Sequence, residues 1–237
     1  MRHRPAFQRE IAILLEDDAI IAVDKPAGLP AVPIAGSKSP SAFDIVAVEM
    51  KRRRQRVFVV HRIDRFTSGI LLFAKTNRAR DALVRQFLKH TPRREYLAVV
   101  RGRMTEKEGQ MVDYLRRQGM FQKMSRASDP EAARAELSFA VERPLHNATL
   151  VRVRLITGLQ NQIRVQFAAA GYPVIGDRKY RPEEATERRI ARVALHAALL
   201  EVGHPSTGEP VTIESPLPAD MRSLIGSLSR TGRAPGG

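Results

Sequence analysis

Residues 69–74, Gly-Ile-Leu-Leu-Phe-Ala, form an unbroken apolar run bounded by Thr67 and Ser68 on one side and by Lys75 and Thr76 on the other. The run is far short of the ~20 residues that cross a bilayer. Its continuity predicts a strand buried within a sheet. Residues 148–155 carry the complementary pattern, in which Val151, Val153 and Leu155 alternate with Arg152 and Arg154. That alternation predicts a strand with one dry face and one wet face.

Helical spacing lies between such strands. Phe43, Val46 and Met50 share one side of residues 41–56, with Lys51–Arg54 at the C-terminal end, where cations suit the helix dipole. Residues 77–90 predict an amphipathic helix capped by Asn77. Its apolar stripe is Leu83, Val84, Phe87 and Leu88, and its wet side carries Arg78, Arg80, Arg85 and Lys89. Residues 159–171 predict a helix with Ile163, Phe167 and Ala170 on one face and Gly171 just past its end. Further strands are expected at Ala12–Leu15 and Ala19–Val23, joined by an acidic turn, and within residues 93–102, 192–205 and 210–218. Residues 103–130 read as a polar, irregular excursion. No internal repeat and no linker between two cores is visible, so the expectation is one α/β-mixed (α+β) domain over residues 12–225. An extension, residues 1–11, precedes it, and a disordered tail, residues 226–237, follows.

The charge narrows the function. Forty Lys and Arg against 25 Asp and Glu leave +15, with a pI near 11, and such a surface attracts polyanions, nucleic acid first. There is no Cys, which removes disulfides, thiolate metal sites and Cys nucleophiles. The first residues are basic but lead into no apolar signal region. A cytoplasmic protein without a membrane partner is expected.

Within that charge one carboxylate stands out. In His61-Arg-Ile-Asp-Arg-Phe-Thr-Ser-Gly69, Asp64 lies between Arg62 and Arg65, ahead of a Thr-Ser-Gly turn. Both guanidinium groups favour its ionised form. A polymerase-like metal site needs a second carboxylate, yet the next acid is Asp81, on the amphipathic helix. Ser68 lacks the first glycine of a nucleophile elbow, and no phosphate loop or His-x-x-x-His pair is present. Taken alone, the residues leave two uses open for Asp64: an ion pair that caps the turn, or a catalytic group.

The pattern as a whole resembles the RluA-type pseudouridine synthases, whose hallmark is His-Arg-Leu-Asp before a Thr-Ser-Gly turn and an apolar strand. Here Ile63 takes the Leu place and Phe66 stands where a polar residue is usual. Residues 13–30 resemble the family's opening hairpin and Lys-Pro-x-Gly loop. Arg94, Tyr96, Ala98, Val100 and Gly102 are in register with its Lys-x-Tyr-x-Ala-x-Val-x-Gly strand. Residues 155–180 resemble its Thr-Gly-Arg-x-His-Gln-Ile-Arg-Val segment, and residues 195–218 its closing stretch. Five motifs in order cover roughly residues 12 to 221.

The resemblance implies a pseudouridine synthase fold: a central, mainly antiparallel mixed sheet flanked by helices and loops around an RNA-binding cleft. It implies isomerisation of specific uridines in rRNA or tRNA, with neither cofactor nor metal. Asp64 would be the catalytic aspartate, Tyr96 the tyrosine packed on the base, and Arg164 the arginine that pairs with the aspartate. His61, Arg62, Arg65, Thr67, Lys123, Asn161, Gln162 and Ile163 are expected to bind substrate. Lys51–Arg54, the basic helix face, Arg93, Arg94, Arg116, Arg117 and Lys123 are expected to hold RNA phosphates. Leu159, Gln160, Asn161 and Gln166 depart from the family's usual cationic and imidazole residues and are expected near the pocket mouth. Many relatives begin with an S4-type RNA-binding module, and with a hairpin that opens by Ala12 none is expected here. A monomer acting on a structured stem-loop is the expectation. The rival readings are a catalytically silent RNA-binding or assembly factor with this fold, and a metal-dependent nuclease using Asp64.

Overall fold

The computed structural model describes residues 11–119, 121–181 and 187–230. In chain order the elements are β1 (Ala12–Glu16), β2 (Ile20–Lys25), α1 (Ala42–Arg52), β3 (Phe58–Val59), β4 (Ser68–Ala74), α2 (Asn77–Leu88) and β5 (Arg93–Arg101). There follow β6 (Glu108–Gln118), β7 (Phe121–Ser125), β8 (Ala132–Leu145), β9 (Ala148–Leu155), α3 (Gln162–Ala169), β10 (Leu195–Gly203), β11 (Pro210–Glu214) and α4 (Ala219–Arg230). The strands form one sheet in the order β1-β2-β4-β10-β5-β9-β8-β6-β7, with β3 on β4 and β11 on β10. Every pairing is antiparallel except β10 on β4, where His196 faces Ser68 and Ala197 faces Gly69. The sheet is therefore mixed and mainly antiparallel, as expected.

The apolar run of β4 is buried throughout because both of its faces are covered. Leu71 and Phe73 pack with Val46 and Met50 of α1, while Ile70, Leu72 and Ala74 pack with Ala79 and Leu83 of α2. Beyond β10 a second core gathers β5, β8 and β9 beneath α3 and α4, with Phe167 and Leu224 buried at its centre. β10 joins the two halves. It lies between β4 and β5 although more than ninety residues separate it from either.

At β4 and β10 the backbones approach so closely that any Cβ on Gly69 would overlap the Ala197 carbonyl, and Gly69 holds φ +108°. Only glycine accepts both conditions without strain.

Four local expectations need correcting. The α2 cap is Thr76, whose side chain accepts from the Ala79 amide, and Asn77 is the first helical residue. Leu88 is 73% exposed and does not extend the apolar stripe. Residues 103–130 are not irregular: β6 and β7 form a regular hairpin against β8. Cross-strand hydrogen bonds hold it and Leu115 alone of β6 is buried, so its apolar pattern is faint. The folded part runs past residue 225, since α4 continues to Arg230 with Leu228 buried in the core. The rest of the expected tail, residues 231–237, and residues 1–10 of the expected extension lie outside the described residues.

Candidate active site

The segment from His61 to Thr67 enters β4 without regular structure, and its shape is held by polar contacts from three sides. Lys25, fully buried, donates to the carbonyls of Pro26 (3.0 Å), Leu29 (2.8 Å) and Arg65 (3.1 Å). Burial draws its pKa down to about 7, with the Asp64 carboxylate opposing. The Gly28 amide also donates to the Arg65 carbonyl at 2.8 Å, and Arg65 Nε returns a 2.9 Å bond to the Gly28 carbonyl. The Lys-Pro-x-Gly loop thus clips the backbone next to Asp64. His61 Nε2 accepts from the Leu72 amide at 3.0 Å, and its ring stacks on Phe87. Burial above all, with the charge of Arg94 adding, pushes His61 down to about 3, so the ring is neutral. At the far end Ser68 Oγ bonds His196 Nδ1 at 3.0 Å, while His196 Nε2 reaches the Ser215 carbonyl.

Asp64 so placed opens, with its side chain 20% exposed, into a cavity of about 160 Å³ that Tyr96 of β5 and Arg164 of α3 also line. The three side chains proposed from the sequence therefore share one pocket. The same walls hold Arg62, Thr67, Asn161, Gln162 and Ile163. Gln162 spends its amide on the structure, accepting from Thr157 and from the Leu159 amide and donating to the Glu136 carbonyl. Its contribution to the wall is shape.

Three expected binding residues lie elsewhere. His61 is a packed, neutral ring, Arg65 clamps Gly28, and Lys123 is exposed on β7 opposite Arg116. None of the three lines the cavity. Of the departures, Leu159, Gln160 and Asn161 do line it. Gln166 is buried instead against β6 and β8, donating to Asp113 at 2.7 Å. Several of the basic residues expected to hold phosphate are already paired: Arg52 and Arg53 with Glu49, Arg80 with Asp81, Arg93 with Glu95, and Arg116 with Glu131. Arg94 turns inward and lines the pocket.

The residue that sequence reasoning missed is Asp177. Its carboxylate, 1% exposed, takes both Nε and Nη2 of Arg164 at 2.7 Å and also accepts from the backbone amides of Lys179 and Tyr180. Asn161 sits at the start of α3 with φ +55° and makes no cap bond. Its Oδ1 accepts from Arg164 Nη1 at 2.7 Å. Asp64 is the outer partner, 3.6 Å from the same Nη1. Burial opposes the charge on Arg164, but Asp177, and after it Asp64, raise its pKa above the ordinary arginine value. The cation is fixed from behind and only leans on Asp64, which stays open to the cavity. Tyr96 is pushed up by burial, with Arg94 opposing and Asp64 adding, so its hydroxyl keeps its proton. The arrangement offers a reachable carboxylate oxygen beside an aromatic face, in a space on the scale of one small ring.

Comparison with known proteins bears on which ring. The sequence profile described as RNA pseudouridylate synthase matches residues 19–169. RNA pseudouridine synthase YlyB of Bacillus subtilis is 33% identical over 228 residues, covering 94% of this chain and 74% of that one. Ribosomal large subunit pseudouridine synthase D of Zymomonas mobilis is 33% identical over 235 residues, with the same coverage, 94% and 74%. Among solved structures, human RNA Pseudouridylate Synthase Domain Containing 4 superposes with a TM-score of 0.79, covering 92% of both chains at 20% identity. That last likeness shows a shared fold.

Proposed function

Since the chain belongs to the RNA pseudouridylate synthase family and is an RNA-directed isomerase, we propose that Asp64, Tyr96 and Arg164 are its catalytic residues. The substrate uridine must leave its stack to reach the cavity, which costs a few kcal/mol and is cheapest in an unpaired loop. Asp64 meets C1′ of the ribose as the bond to N1 breaks, with the Arg164 cation 3.6 Å from the carboxylate. The freed uracil turns on the face of Tyr96 until C5 confronts C1′. The C5–C1′ bond forms, Asp64 is released, the proton on C5 leaves and N1 gains one. Atoms and electrons balance without oxidant, reductant or phosphoryl donor. Arg62, Thr67 and Asn161, at the walls, position the nucleotide.

The observation that carries this reading is the loose 3.6 Å contact between Asp64 and an Arg164 whose tight bonds go to Asp177 and Asn161. A purely structural ion pair would be closed; this one leaves the carboxylate facing space. The net charge of +15 supplies the attraction for RNA. We take the substrate to be a stem-loop in rRNA rather than tRNA, because relatives such as the Zymomonas mobilis protein are named for the large ribosomal subunit. We place the protein in the cytoplasm, with the ribosomal RNA for which relatives such as the Zymomonas mobilis protein are named, and as a monomer.

The test is tritium release from an unmodified large-subunit rRNA transcript labelled at C5 of uridine. Wild type should release label to a plateau set by the number of target sites, and Asp64→Asn should release none. Binding by both proteins with release by neither would identify a silent RNA-binding factor. Chain cleavage abolished by EDTA would identify a nuclease.

A further inference from the structure

Besides Arg62 and Arg164 the pocket holds a third cation, which plays no part in the proposed reaction so far. Arg94 projects from β5 two residues before Tyr96, on the same strand face, and lines the cavity. Its Nη2 donates to the Ile156 carbonyl at 3.1 Å, while its Nε is sealed from solvent with no hydrogen-bond partner among the described residues. Burial lowers its pKa, and the titratable group that bears on it is Tyr96, not a carboxylate. Desolvated guanidinium groups ordinarily sit against an acid, as Arg164 does. Among the described residues Arg94 does not. The fold also makes room for it: Gly158, between β9 and α3, lies so close that any Cβ there would overlap Nη1. The neighbouring His61 ring is neutral and provides no compensation.

The pocket therefore has a carboxylate, Asp64, and an uncompensated cation, Arg94, both acting on Tyr96 with opposite sign. The reaction separates charge in the matching sense. When N1–C1′ breaks, the electron pair stays with uracil, whose ring nitrogen and carbonyl oxygens share the negative charge, and C1′ becomes electron-poor. We propose that Arg94 is a catalytic residue which takes up the negative charge of the departing uracil. The inference rests on Asp64 being the group at C1′. A backbone phosphate is the weaker candidate for Arg94, because the side chain is half-buried in the pocket wall, its Nε sealed, beside the tyrosine on which the base stacks. Fixed charge aimed where charge develops is among the strongest devices available to a site closed to water.

Single-turnover tritium release and filter binding with the C5-labelled rRNA transcript would test this on wild type, R94K and R94Q, after matched melting curves. R94Q should bind within about threefold of wild type yet react ~10²–10³-fold more slowly, with R94K between them. The loss should shrink with a transcript carrying 5-fluorouridine, because fluorine itself stabilises the uracil anion. That reaction is followed by mass spectrometry as the C-linked product, which keeps its fluorine because C5 has no proton to lose. An equal loss on both transcripts, or an R94Q rate equal to wild type, overturns the assignment. So does a defect confined to binding with a shallower salt slope, which would make Arg94 a phosphate contact. Should R94Q not fold, G158A displaces the guanidinium with its charge retained and is held to the same outcomes. Failure of wild type itself to release label would instead strike the Asp64 reading.

Discussion

Asp177→Asn removes one charge and changes almost no volume, and it separates a structural aspartate from one that sets the state of the pocket. In the fold Asp177 is 1% exposed and Arg164 6%, joined by two 2.7 Å bonds. Removing one partner of a buried pair costs about 3–5 kcal/mol because the other charge is left uncompensated. Asparagine keeps one acceptor, and Asn161 and Asp64 remain near Arg164, so the lower end, about 3 kcal/mol, applies. For a chain of this size each kcal/mol moves the melting temperature by roughly 2–4 °C. Calorimetry should therefore find a drop of about 6–12 °C. With its rear anchor gone, Arg164 has Asp64 as its remaining carboxylate among the described residues, and the 3.6 Å gap closes into a direct bond. Asp64, the proposed nucleophile, is then tied down, and tritium release from the rRNA transcript should slow by at least ~10-fold while RNA binding holds. A variant that melts within 2 °C of wild type and turns over normally would show that Asp177 does not restrain Arg164.

The folded-state pKa of His61, about 3, lies below its ordinary 6.5, so the unfolded chain alone takes up this proton as pH falls from 6.5 towards 3 and stability drops. From pH 7 to pH 5 the linkage amounts to about 2 kcal/mol; urea midpoints should show it and lose it in His61→Phe, and an unchanged slope would refute the neutral ring. Gly69→Ala forces a methyl into the Ala197 carbonyl at φ +108° and should cost about 3 kcal/mol or more by denaturant titration. Stability within 0.5 kcal/mol of wild type would contradict the close approach of β4 and β10.

How much of this was legible in the sequence depended on what holds each part together. β4 and β9 are held by apolar burial, and their patterns announced them. The β6–β7 hairpin is held by backbone bonds with Leu115 as its one buried residue in β6, so periodicity passed over it. Thr is an accepted helix cap as well as Asn, so two adjacent candidates were on offer and the sequence alone did not choose Thr76 over Asn77. Within the site, Asp64, Tyr96 and Arg164 were found through their motifs, and the pocket brings them together. Asp177 and the inward turn of Arg94 were invisible, because a charged residue in a sequence carries no mark of the direction it faces. His61 and Arg65 sit inside the strongest motif and yet serve the loop's shape: a motif records which residues are needed together, not which of them touch substrate.

The position of β10 has a consequence for how the protein comes into being. Residues 195–203 are threaded between the half-sheet that carries Asp64 and the half-sheet that carries Tyr96, and apart from this strand the two share no edge. An unfinished chain can pair β1, β2 and β4, and separately β5 through β9, but it cannot bring the carboxylate to the tyrosine. The proposed catalytic constellation then assembles only once residues 195–203 are in place, and no proteolytic fragment ending before residue 195 should show tritium release.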